Sequence, residues 1–94
     1  MIAAHTASVD PDPTVPVAVQ LPVGANVFSF SMERGLGSVS MLTDDTVTTM
    51  EERTLYFATD EQLDVSYPAH SLVGVDISTL TYLGTSRGFH CWIS

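Results

Sequence analysis

Apolar and polar residues exchange places at every second position through much of the chain, the period of a strand with one face on a core. Val15, Val17, Val19 and Leu21 alternate with Pro16, Ala18, Gln20 and Pro22. The prolines cannot donate to a ladder on both sides, so this run is expected at a sheet edge or at the start of a strand. Val23-Gly24-Ala25-Asn26 supplies a turn. From Val27 to Glu33, Phe28, Phe30 and Met32 then alternate with Ser29 and Ser31. After a turn at Arg34-Gly35-Leu36-Gly37, Val39 and Met41 alternate with Ser38 and Ser40, which predicts a hairpin closed by Asp44-Asp45.

Residues 46–52 read as loop or strand: the threonines and Val47 favour extended backbone, although Met50, Glu51 and Glu52 tolerate a helical turn. Leu55 and Phe57 alternate with Thr54 and Tyr56. Asp60-Glu61-Gln62 forms an acidic turn, and Leu63 and Val65 alternate with Asp64 and Ser66 before Tyr67-Pro68 ends that element. Two apolar runs follow, Leu72 to Ile77 and Leu80 to Leu83, then a turn from Gly84 to Gly88 and a last strand from Phe89 to Ile93. In that strand the odd positions should face the core, leaving His90 and Trp92 together on the opposite face. No stretch sustains a 3.6-residue period. Short strands separated by turn residues predict an all-β fold, a small antiparallel sandwich or barrel.

The first residues break the pattern. Residues 1–14 mix small and polar side chains with Pro11 and Pro13, whose rings bias Asp10 and Asp12 toward extended backbone. They read as an extended N-terminal arm, with residues 15–94 as one all-β domain. The whole chain of 94 residues has room for one hydrophobic core. A core that small is expected to gain stability from association.

Charge narrows the partners. Eleven Asp and Glu face Arg34, Arg53 and Arg87, there is no lysine, and the net charge is -8. A phosphate backbone or an anionic membrane surface needs clustered cations, so direct nucleic-acid binding and membrane binding are not expected. The N-terminal residues lack a basic start and a continuous apolar stretch, and no run of eighteen apolar residues occurs, so neither a signal peptide nor a membrane span is expected.

Candidate chemistry is sparse. Gly84-Thr85-Ser86-Arg87-Gly88 matches the G-x-S-x-G pattern of a nucleophile elbow. That elbow needs a following helix, an acid and a histidine, whereas only six residues follow Gly88 and none is acidic, so a hairpin turn is the better reading. Cys91 is the one cysteine, which excludes an internal disulfide. A metal site would have to gather His5, His70 and His90 from distant positions. The acidic pairs Asp10/Asp12, Asp44/Asp45, Glu51/Glu52 and Asp60/Glu61/Asp64 lack calcium-loop spacing and read as solvated turns. His70-Ser71 beside His90 has no spacing that marks a triad. No catalytic residue, metal or cofactor is expected, and an enzyme is not.

From Leu21 onward the chain resembles a group of small, uncharacterised tailed-bacteriophage β proteins. The residues that carry the likeness are Leu21-Pro22-Val23-Gly24-Ala25, leading into a strand, then Tyr82-Leu83-Gly84-Thr85, Gly88 and Trp92. The chain departs from them at Thr59, which Asp60 follows where similar proteins carry Thr-Gly, and at His90, which precedes Trp92 where they have Trp-His. The resemblance implies a phage origin and brings no activity with it.

Two functions follow as expectations. The first is a non-enzymatic structural protein of a virion, a small capsid-associated decoration or cement protein. It would form homo-oligomers, contact the major capsid protein, or both, and pass through the host cytoplasm during assembly. Val9, Pro11, Pro13 and Trp92 are its candidate contact residues, because an outward-facing indole and a proline-punctuated arm both suit an interface, unless the arm itself covers the indole. The second is a small-ligand-binding accessory protein that sequesters a host nucleotide signal. There Arg34, Arg53 and Arg87 would hold phosphate, and Tyr82 and Trp92, with Tyr56 also available, would stack on a base.

Overall fold

The computed structural model describes residues 1–63 and 71–94, and these form two antiparallel sheets packed face to face. The strands are β1 (Ile2–Val9), β2 (Val17–Pro22), β3 (Asn26–Glu33), β4 (Leu36–Asp44), β5 (Met50–Thr59), β6 (Thr81–Ser86) and β7 (Phe89–Ile93). One sheet has three strands in the order β1-β4-β3, the other four in the order β2-β5-β7-β6. The all-β expectation holds, and the architecture is a small sandwich.

The core lies between the sheets. Val27, Phe30, Met32, Val39 and Met41 from one inner face meet Leu21, Leu55, Phe57, Cys91 and Ile93 from the other. Phe30 and Phe57 touch across the gap with ring centroids 5.5 Å apart. At one side the sheets are tied by hydrogen bonds: the Met32 amide donates to Ser86 Oγ at 2.9 Å, and Arg87 Nε donates to the Met32 carbonyl at 3.2 Å.

Both hairpins turn on an Arg-Gly pair in the left-handed region, Arg34-Gly35 (φ 53°, 77°) and Arg87-Gly88 (φ 50°, 81°). This is the geometry that matches strand twist across a two-residue loop. The turns are therefore shorter than expected, and strand pairing already resumes at Leu36. Gly37 belongs to β4 and not to the turn. A methyl there would stand 3.0 Å from Val9 Cγ2 and 3.3 Å from the Val9 carbonyl oxygen, so glycine is needed for close approach.

Several local expectations change. Within residues 1–14, read as an arm, Ile2–Val9 are a strand of the sheet, paired with β4 from Ile2↔Asp44 to Val9↔Gly37, and the chain bends at residues 13–15. Residues 10–16 then cross to the other sheet, where β2 takes the expected edge position beside β5. Phe28 does not join Phe30 and Met32 in the core: a register shift between Val27 and Ser29 turns the alternation over, so Val27 is buried and Phe28 is 52% exposed. Leu72 to Ile77 is not a strand. Gly74 takes φ 77°, and Asp76 caps a short 3-10 turn at Ile77–Thr79. The expected element at Leu63–Ser66 lies, after Leu63, outside the described residues.

Among the described residues one device recurs three times. In Asp12-x-Thr14, Asp44-x-Thr46 and Asp76-x-Ser78, the carboxylate accepts hydrogen bonds from both the amide and the hydroxyl two residues on. These Asx turns close loops locally, without long-range packing. Each lowers the pKa of its aspartate, because the bonds favour the ionised form.

Candidate functional site

Two surfaces stand out, and the aromatic residues singled out from the sequence lie on one of them. The first is the outer face of the four-stranded sheet. Odd residues of β7 point to the core and His90 and Trp92 point away, as the two-residue period requires. Tyr56 and Ala58 of β5 share that face, because Tyr56 pairs with Trp92 and Ala58 with His90.

Trp92 is only 9% exposed, since Leu72 and Leu80 pack over it with Ala58 and Tyr56 to make a second, smaller apolar cluster. The cover is therefore the segment preceding β6, not the N-terminal residues. Ser71 anchors that segment: its hydroxyl donates to the Phe57 carbonyl and accepts from the Phe57 amide, and its own amide donates to the Pro13 carbonyl at 3.2 Å. Gln62 Nε2 donates to the same Pro13 oxygen, also at 3.2 Å. Val9 is in the main core, and Pro11 and Pro13 are half-buried.

At the rim of this face stands a group that the sequence does not announce. His90 Nε2 is hydrogen-bonded to Asp60 Oδ1, and the Tyr82 hydroxyl lies 2.7 Å from His90 Nδ1. A carboxylate only accepts, so in the neutral ring the proton sits on Nε2 and Nδ1 accepts from Tyr82. Tyr82 packs on Trp92 with centroids 5.2 Å apart and stacks on His90 at 6.0 Å. The Asp60 amide also donates to the Gly88 carbonyl at 3.0 Å, so this chain fastens the β6–β7 hairpin to the turn after β5.

Among the described residues, Ser86, Ser71 and Cys91 are each engaged away from the His90–Asp60 pair. Ser86, the serine of the G-x-S-x-G pattern, accepts from the Met32 amide across the sandwich. Ser71 bonds to β5 and does not meet His90. Cys91 lies on the opposite, core face, where burial pushes its thiol up to about 12, so it stays protonated and inert at neutral pH. Among the described residues no group of three His, Cys, Asp or Glu side chains is arranged to hold a metal ion.

The three arginines do not converge. Arg34 and Arg87 occupy the two hairpin turns, whereas Arg53 lies six residues before Thr59 on β5, about 20 Å along the strand. Its Nε donates to the Ser94 carbonyl at 2.8 Å and its Nη1 to the Ala25 carbonyl at 3.3 Å, so the guanidinium fastens the chain end to the turn before β3. Of the residues considered for a nucleotide, Tyr82 and Trp92 are together, while Arg53 is bonded to the Ser94 and Ala25 carbonyls and Arg87 to that of Met32.

The second surface is the outer face of the three-stranded sheet. Pairing places Ser8, Ser38 and Ser31 in one row, Thr6, Ser40 and Ser29 in the next, and Ala4, Leu42 and Asn26 in a third. Ile2 and Leu36, 66% and 65% exposed, stand at its corners. Charge appears at its ends, as Glu33 and Arg34 at one and Asp44 with the Met1 ammonium at the other. In a chain with eleven acids this face is uncharged over three rows, short in its side chains apart from Leu42 and the exposed Phe28 at the β3 bulge, and covered by no other described element.

No family model matches the chain, and neither a curated protein nor a solved structure matches it. Among the described residues no helix is long and apolar enough to cross a membrane.

Proposed function

We propose that this chain is a non-enzymatic structural protein of a bacteriophage particle, a small capsid-associated decoration or cement protein that acts through protein–protein contacts. The observation that carries this reading is the uncharged outer face of the β1-β4-β3 sheet. Interface cores are depleted of charge, and short Ser, Thr and Ala side chains lose little rotamer freedom when covered. A sheet of such residues with Ile2, Phe28, Leu36 and Leu42 among them can meet another surface without burying unpaired ions. The strongly acidic remainder keeps the free subunit soluble until it docks.

The outer face of the other sheet serves stability. Trp92 is covered, His90 and Asp60 are engaged with each other, and Arg53 is spent on backbone carbonyls. The test is mass spectrometry of purified particles of the phage that encodes the chain. A constant ratio of this chain to the major capsid protein is expected, falling when Ser40→Lys places a charge at the centre of the face. Particles that lack the chain, or that take up the Ser40→Lys protein equally well, contradict the proposal.

A further inference from the structure

The free edge of β1 and the cleft beside it form a second feature, distinct from the sheet face. Met1 accepts at its carbonyl from the Asp45 amide, which sets the phase of the β1–β4 ladder. In an antiparallel pair, residues alternate between bonding to the partner and pointing away from it. Odd residues of β1 therefore bond to β4, while the amides and carbonyls of Ile2, Ala4, Thr6 and Ser8 point away from the sheet. β1 pairs with no other described strand. Natural edges are commonly protected by lysine, proline, a bulge or brevity. Ile2–Val9 has eight residues in unbroken register, with no proline, lysine, arginine or carboxylate.

Beside this edge the sandwich gapes. A cleft of about 390 Å³ separates β1 from β2, with Leu21, Pro22 and Met41 as its apolar walls and His5 and Met50 at its rim. That volume falls within the ~300–1,000 Å³ typical of ligand sites. A strand laid along β1 would direct alternate side chains to the same side as Ala3, His5 and Ala7, which is the side of the cleft. Main-chain bonds along an edge with pockets for alternate side chains are the two elements of recognition by strand addition.

Charge selects the occupant. Asp44 and Asp45 lie at the Ile2 end of the cleft, and Asp10 and Asp12 follow the Val9 end of the strand. The terminal ammonium of Met1, 3.2 and 3.4 Å from Asp44 and Asp45, leaves that pair with net negative charge. A second copy paired along β1 would bring together two bodies of charge -8, each with Asp10, Asp12, Asp44 and Asp45 beside the strand. Like charges so placed oppose pairing.

We infer that β1 and its cleft bind an extended segment of a partner protein that adds antiparallel to the edge, places apolar side chains in the cleft and carries Lys or Arg at its ends. This goes beyond the structural proposal and does not depend on it. The test uses a synthetic ten-residue peptide of alternating threonine and leucine with lysine at both ends, against the same peptide ended in glutamate. Nuclear magnetic resonance on the full chain reads affinity and amide exchange. The lysine-ended peptide should bind and slow exchange at Ile2, Ala4, Thr6 and Ser8, with the glutamate-ended peptide at least tenfold weaker. Thr6→Pro removes one outward amide without touching the β4 ladder, so it should fold and lose at least tenfold in affinity. Asp45→Asn should narrow the preference for lysine. The inference is overturned if neither peptide binds at millimolar concentration, if both bind equally, if Thr6→Pro folds and binds unchanged, or if the chain alone dimerises with those amides already protected.

Discussion

Replacing Gly37 with alanine should loosen the outer strand of the three-stranded sheet. Gly37 is extended, so alanine fits its backbone, and the reduced freedom of the unfolded chain alone would stabilise by about 0.4–1 kcal/mol. Against this, the new methyl would stand 3.0 Å from Val9 Cγ2 and 3.3 Å from both Phe30 Cε1 and the Val9 carbonyl. Two of those atoms belong to rigid parts, an aromatic ring in the core and the β1 backbone, so β1 has to shift outward. Overpacking of this kind costs roughly 1–3 kcal/mol, which set against the entropic gain leaves a net loss centred on about 1.3 kcal/mol and at most about 2.6 kcal/mol. Urea unfolding measures the loss, and amide exchange should quicken most at Ala7 and Val9. Val9→Ala by itself should cost about 1.5–3 kcal/mol, because Val9 is 5% exposed in the core. In the double variant the smaller side chain makes room, so the losses should sum to less than their total. A Gly37→Ala protein as stable as the parent, with unchanged exchange in β1, would refute the packing of these residues on β4.

Ser86→Ala removes the acceptor of the part-buried Met32 amide and should cost about 1–3 kcal/mol in urea unfolding; a change below 0.5 kcal/mol would mean that the hydroxyl does not tie the sheets together. Burial raises the Cys91 thiol, so its contribution to stability is intact below pH 9 and should fall on the order of 4 kcal/mol as pH rises toward 12, where the unfolded thiol ionises and the folded one does not. Cys91→Ala should flatten that alkaline limb, and native protein at pH 8 should resist a thiol reagent until unfolded. Hydrogen bonds lower Asp12, Asp44 and Asp76, so their contribution is present above the ordinary carboxylate range and is lost as pH falls below about 4. Stability measured from pH 6 to pH 2 should fall less steeply in Asp76→Asn, and an unchanged slope would contradict the Asx-turn bonding.

What could be read in advance follows from the range over which each cause acts. β2, β3, β4 and β7 were legible because their periodicity and the turn residues Arg34-Gly35 and Arg87-Gly88 lie within a few positions of one another. The shared face of His90 and Trp92 came from the same local rule. β1 was not legible as a strand, because Ile2–Val9 is largely Ala, Ser and Thr, with weak amphipathicity, and its partner β4 is distant in sequence. The outward turn of Phe28 depends on a bulge, which displaces the alternation by one residue and leaves no mark in composition. Asp60 and Tyr82 were missed as partners of His90 because Asp60 sits in a turn 30 residues earlier and Tyr82 pairs directly with Trp92, reaching the imidazole along the strand. The cleft beside β1 was equally hidden, since its walls come from four strands.

The exchange rates of the amides from Ile2 to Val9 in dilute, monomeric protein probe the sandwich and its open edge together. Slow exchange at Ala3, His5, Ala7 and Val9, alternating with fast exchange at Ile2, Ala4, Thr6 and Ser8, is the pattern expected of an outermost strand held by β4 and bare on its other side. Uniformly fast exchange across these eight residues would show a free tail and contradict it, and uniform protection would show that the edge is already covered.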